Sequence, residues 1–165
     1  MSDTAQPEPA YPTPPPRAMF DLAKLDLLSP SEGGKAFVLA HTYDRLGFAI
    51  GPAYTGSDGK PVTITLMGQN SAVGRDTLKR IRDERAAMDS NGQRVSEEAT
   101  ERHNTEYLCA LTKGWTIERL DGADFPVTPA NREKLWTDPR FRWLREPALT
   151  FIARDSNFLA PPDGV

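Results

Sequence analysis

The sequence predicts an α+β protein: a small antiparallel β unit followed by a helical remainder, with a proline-rich N-terminal arm. Three observations predict it. Val62 to Met67 (V-T-I-T-L-M) alternates apolar and hydroxyl side chains with period two, the pattern of a half-buried strand. From Ser71 to Glu106 seven basic and eight acidic residues interleave around apolar residues at helical spacing. Six of the fifteen prolines fall within the first sixteen residues. A chain of 165 residues suits one domain with an appendage. The boundaries expected are an arm over 1–16, one α+β domain over 17–160, and a short tail over 161–165.

Each element follows from local chemistry. Proline fixes φ and donates no backbone hydrogen bond, so the arm reads as extended or disordered, or as a segment that orders on a partner. Phe20 to Leu28 (F-D-L-A-K-L-D-L-L) mixes periods of two and three, and helix and strand stay open for it. Ser29 to Gly34 reads as a turn or loop. Ala36 to Ala40 is a short apolar strand, and Leu46 to Ala53 is a second, weaker one. Asp58-Gly59 between strands is a hairpin signal. The sheet is thus expected between about Phe20 and Met67.

At Gly68 the chemistry changes. Asn70 or Ser71 caps a helix running to about Met88, with Leu78, Ile81 and Met88 inward and Asn91-Gly92 ending it. Ser96 opens a second helix with Glu97 and Glu98 at its positive dipole end. Its apolar stripe is Tyr107, Leu108, Leu111 and Trp115, and Gly114 closes it. The two helices form an antiparallel hairpin. Asp121-Gly122 makes a turn. Thr128-Pro129 and Asp138-Pro139 are cap-and-proline pairs that start two more helices. Leu144, Ala148, Phe151 and Ile152 share one face of the last, and Pro147 predicts a kink or restart there.

Composition narrows the function classes. No stretch approaches the roughly 18–20 apolar residues of a membrane-spanning helix, and Met1 to Ala10 lacks the regions of a signal peptide. One cysteine excludes an internal disulfide and a multi-thiolate metal site. A net charge of −3 brings no general attraction to nucleic acid. Arg75, Lys79, Arg80, Arg82 and Arg85 could form a positive stripe, but Asp76, Asp83 and Glu84 dilute it.

No catalytic, cofactor or metal site is expected. Gly68 to Thr77 lies where a phosphate-binding loop would, yet five residues separate Gly68 from Gly74, and Arg75-Asp76 replaces Lys-Ser/Thr. It reads as a capped strand-to-helix turn. His41, His103 and Cys109 carry no local nucleophile signature, and read as a half-exposed histidine, a surface histidine and a small buried thiol. The carboxylates pair with bases along one helix, as Asp76 with Lys79 and Arg80, or Glu98 with Arg102. An enzyme with a fold-assembled site is motivated only by their number. The aromatic cluster is more informative. Much of it must be core, yet Trp with Arg is the composition of interface hot spots. Trp136, Phe141, Trp143 and Phe151 are the candidate partner-binding residues.

Four pieces, in order, carry a resemblance. They are F-D-L-x-x-L-D at Phe20 to Asp26, G-K-P-V-T-I-T-L-M-G-Q-N-S at Gly59 to Ser71, and L-T-K-G-W at Leu111 to Trp115. The last is D-G-A-D-F-P-V-T-P-A-N at Asp121 to Asn131, followed by R-D-S-N-F at Arg154 to Phe158. With this order the chain resembles the tail assembly chaperones of long-tailed phages. The resemblance implies a non-catalytic protein without cofactor, acting in the host cell cytoplasm during virus assembly. It would bind the tape-measure protein and recruit tail-tube subunits, with no nucleic-acid or membrane partner and with self-association left open. The arm, Ser2 to Pro16, is not part of that pattern. It motivates the alternative of a virion structural protein, a capsid-stabilising or neck component that binds its neighbours through the arm.

Overall fold

The computed structural model describes residues 26–159. The arm, most of the Phe20 to Leu28 segment and the C-terminal tail lie outside them.

The described chain opens with α1, Leu28–Gly33, where a loop was expected. Asp26 explains the helix. Its carboxylate accepts from the Leu28 amide at 2.8 Å and from the Ser29 hydroxyl at 2.6 Å. The Ser29 hydrogen bond, then that of the Leu28 amide, lowers the Asp26 pKa. At the other end Lys113 Nζ donates to the Glu32 and Gly33 carbonyls at 3.4 and 3.2 Å. This capping comes from far along the chain, so local sequence does not announce it.

The sheet has order β1-β2-β3, antiparallel throughout, from Lys35–Val38, Thr63–Leu66 and Thr112–Trp115. Its third strand arrives from beyond the helical hairpin, not from before Met67. Ile64 and Leu66 are fully buried while Thr63 and Thr65 are half-exposed, so the alternation of the sequence is the two faces of β2. Thr65 pairs with Gly114 and Leu66 with Thr112, which leaves Lys113 as the extra residue of a bulge.

Between β1 and β2 the expected second strand is reduced to isolated bridges, Ala40 with Ala53 and Tyr43 with Ala49. The Tyr43 hydroxyl accepts from the Ala40 amide at 2.9 Å and donates to the Val38 carbonyl at 3.0 Å. Leu39 donates to Val62 on the β2 side, so these two groups lie on the outer edge of β1. A side chain thus occupies an edge that a further strand would need.

Two long helices follow, α2 (Ala72–Ser90) and α3 (Glu97–Leu111), capped by Ser71 and Ser96 as the sequence predicts. Their ion pairs correct the expected pattern. Arg80 meets Glu106 and Arg102 meets Glu84, from one helix to the other. The antiparallel hairpin brings those partners together, and spacing along one helix does not reveal it. Within one helix, Lys79 pairs with Asp83. Neither Leu78 nor Met88 is fully buried; Gly74, Thr77 and Ile81 are. The second helix also ends earlier than expected, at Leu111, and passes directly into β3. Trp115 is therefore a strand residue.

The remainder builds the other wall of the core. A two-stranded turn, β4 (Arg119–Leu120) with β5 (Ala123–Asp124), reverses at Asp121-Gly122. Then come α4 (Pro129–Thr137), capped by Thr128, and a 3-10 helix over Pro139–Leu144, capped by Asp138. Next is α5 (Arg145–Ala153), with a closing 3-10 turn at Asp155–Asn157. The Pro147 expectation resolves as a restart: the 3-10 segment becomes α-helix at Arg145, which leaves Pro147 in the first turn, where no intrahelical donor is lost. Leu144, Ala148, Phe151 and Ile152 are buried on the predicted face.

A joint ties the last segment to the first. Asp155 accepts from Gln69 Nε2 at 3.1 Å and from Asn70 Nδ2 at 2.7 Å. Beneath it, a Cβ on Gly68 would lie 2.6 Å from Ser31 Oγ and 3.1 Å from the Phe158 ring. Only glycine lets α1, β2 and the C-terminal turn meet so closely.

Candidate interaction surface

The four candidate aromatics divide between core and surface. Trp136 is fully buried, and its Nε1 donates to Thr112 Oγ1 at 2.9 Å. Phe151 is buried too, edge-on to Phe37 at 5.5 Å and to Phe158 at 5.8 Å. These two expectations are corrected: both side chains hold the core, with no face left for a partner. Phe141 is half-buried beside the core with the Arg140 guanidinium 5.4 Å above its ring, and Trp143 is 45% exposed. The sequence could not separate them, because all four sit in similar Arg-flanked, helix-forming stretches.

Trp143 is the outer end of a line of rings. Phe158 meets Phe151, Phe151 meets Phe37, Phe37 stacks on Tyr43 at 5.1 Å, and Tyr43 meets Trp143 at 6.2 Å. Anchoring one exposed indole to the core through its neighbours limits the rotamer entropy a partner contact would cost.

Sequence reasoning missed a second apolar feature, the excursion between β1 and β2. Asp44 organises its tip: its Oδ1 accepts from the Leu46 and Phe48 amides at 2.8 and 2.9 Å. Tyr43 pairs with Ala49, so Phe48 and Ile50 fall on the face opposite Tyr43. Both are exposed, as is Leu46 at the turn. Gly47 fastens this tip to α5. Its φ is +79°, and a Cβ there would lie 2.7 Å from the Pro147 carbonyl oxygen. The signal available in sequence was L-G-F-A-I-G, apolar residues between glycines. It reads equally as a buried strand, whereas the structure leaves Leu46, Phe48 and Ile50 exposed.

The residues with reactive side chains are dispersed. His103 is buried between α2 and α3, contrary to its reading as a surface residue. Its Nδ1 accepts from Arg85 Nε at 3.2 Å, and its Nε2 lies 3.2 Å from Glu84. His41 is exposed and lies against Tyr54, ring centroids 4.6 Å apart. Cys109 is only half-buried; burial pushes its thiol up to about 11, with the Glu133 carboxylate adding to the shift. A thiol so poised is a poor nucleophile. Burial likewise pushes the Tyr107 hydroxyl up to about 12. Among the described residues, no group of three or more His, Cys, Asp or Glu is arranged to hold a metal ion, and no helix is long and apolar enough to cross a membrane. The Gly68 to Thr77 turn is a helix cap: Ser71 Oγ accepts from the Gly74 amide at 3.1 Å, and Glu32 takes the Ala72 amide.

No protein-family model, curated protein or solved structure matches this chain.

Proposed function

We propose that this chain is a phage tail assembly chaperone, a non-catalytic protein that binds the tape-measure protein and brings tail-tube subunits to it in the host cytoplasm. The observation that carries the reading is the order of the four sequence pieces, together with how they meet in space. Gly59 to Ser71 contains β2 and the turn into α2, and Leu111 to Trp115 contains β3, which pairs with it. Arg154 to Phe158 contains Asp155, which bonds Gln69 and Asn70. Asp121 to Asn131 supplies the β4–β5 turn and the cap of α4. The first piece, Phe20 to Asp26, lies almost wholly outside the described residues. Three of the four pieces thus contribute to the sheet and its joints.

Two surface features support the reading. Trp143 is a held, exposed aromatic, and Leu46, Phe48 and Ile50 offer apolar side chains without a β edge beside them. A tape measure with long apolar helices is a ligand such side chains can cover. Mixed-charge helices keep the carrier itself in solution.

The test is co-expression with the tape-measure protein of the same phage. Recovery of that protein in the soluble fraction is expected only when this chain is present. Unchanged solubility overturns the reading. A second reading, a virion structural protein held by its arm, rests on the six prolines before Arg17. Mass spectrometry of purified virions tests it, a stoichiometric copy number being its signature.

A further inference from the structure

We propose that Arg85, His103 and Glu84 form a pH-sensitive latch on the helical hairpin. A neutral His103 fastens the far end of α2 to α3, and a proton on the ring releases it. The place of the cluster gives it that weight. Ile81 is the last buried residue of α2 and His103 the first of α3, and from Arg82 to Arg102 no residue is buried. The far end of the hairpin therefore has little apolar core of its own, and polar contacts between the helices hold it.

Hydrogen-bond geometry fixes the state of the ring. A guanidinium stays protonated, so the Arg85 Nε–H that lies 3.2 Å from His103 Nδ1 can only donate, and Nδ1 carries no proton. The neutral ring then keeps its proton on Nε2, where Glu84 Oε2 accepts it at 3.2 Å. Both ring nitrogens are thus matched, as a side chain 1% exposed requires. A proton on Nδ1 and the Arg85 bond exclude each other.

Charge opposes the proton as well. Among the described residues, the charged groups within reach of the ring are Glu84 and Arg85 from α2 and Arg102 from α3, with Arg102 Nη2 3.4 Å from Nε2. Glu84 is the one carboxylate of the three, and its other oxygen already accepts from Arg102. One turn along α3, Glu106 is held by Arg80, and burial pushes the Tyr107 hydroxyl up to about 12. Neither offers the ring a free negative charge. An imidazolium here would set three cations around one carboxylate. Unfolding frees the ring to take its proton, so the latch stabilises the fold above the ordinary imidazole pKa of about 6.5 and loses that contribution as pH falls below it.

Urea unfolding of the full chain at about pH 7.5 and about pH 5.5 tests the latch. A ring that takes its proton only on release raises the unfolding constant about tenfold between the two. His103→Gln keeps an acceptor and a donor without titrating, and is expected to lose that tenfold part. His41→Gln, at the only other histidine, is expected to keep it. Hydrogen exchange, corrected for the intrinsic effect of pH, is expected to show protection between Arg85 and Arg102 falling on acidification. Nitrogen NMR shifts of the wild-type imidazoles give a reading that needs no variant: for His103, Nε2–H with a bare Nδ1 at the higher pH. An imidazolium at that pH, equal pH responses of wild type and His103→Gln, unchanged protection in the far half of the hairpin, or stability that rises on acidification overturns the proposal.

Discussion

Trp136 Nε1 donates to Thr112 Oγ1 at 2.9 Å, and that hydroxyl in turn donates to the Leu108 carbonyl at 2.7 Å. One buried threonine thus joins the first residue of β3, the end of α3 and the largest side chain of α4.

Thr112→Val keeps the shape and removes the hydroxyl, so the buried indole N–H is left without an acceptor. A loss of about 2 kcal/mol is expected, in the range for an orphaned buried donor. Urea unfolding of the two proteins measures it. A midpoint within error of wild type would show that the bond contributes nothing net.

Trp136→Ala and Trp143→Ala should part company. The first empties a fully enclosed site and is expected to cost about 3–5 kcal/mol. The second removes a half-exposed ring that meets Tyr43, and should cost about 1 kcal/mol or less. On the proposed function, Trp143→Ala also weakens tape-measure recovery while the monomer stays folded. Calorimetry of both variants beside the co-expression assay reads the two effects, and unfolding of Trp143→Ala would move that residue into the core.

Gly47→Ala forces an L side chain into left-handed backbone and against the Pro147 carbonyl. The tip should lift from α5. A destabilisation of about 1–3 kcal/mol is expected, together with faster proteolytic cleavage between residues 41 and 54. Unaltered cleavage would mean the tip is not fastened there.

Asp138 gives a pH dependence with a definite sign. It accepts from Arg140 through side chain and backbone, and these bonds lower its pKa from 3.8 to about 2. A carboxyl whose folded pKa is depressed stabilises the fold above its unfolded pKa and loses that contribution as pH falls through the folded one. The melting temperature of wild type should therefore drop more steeply between about pH 4 and pH 2 than that of Arg140→Gln. Parallel profiles would remove the pair from the acid response.

Much of the architecture was legible because it is local. Ser71, Ser96, Thr128 and Asp138 cap helices through their own side chains within three residues, and Val62 to Met67 shows its two faces by alternation. Errors gathered where a distant residue decides. The last carbonyls of α1 accept from Lys113 of β3, and the pairing of Arg80 with Glu106 needs the hairpin to close. His103 is polar in any local window, and it is buried because Arg85 and Glu84 come across from α2.

The candidate surface was the least legible part. Trp136, Phe141, Trp143 and Phe151 have similar neighbours in sequence, and which of them face water depends on how α4, the 3-10 helix and α5 pack against α3 and one another. Sequence alone determined an α+β chain with a proline-rich arm, the starts of α2, α3 and α4 and the alternation of β2, since hydrogen bonding and steric rules within a few residues suffice for these. Tertiary structure decided which aromatics are core, that the third strand comes from beyond the helices, and that α2 and α3 enclose His103. Those outcomes depend on packing between segments tens of residues apart, where burial of one side chain is settled by what another segment brings to it.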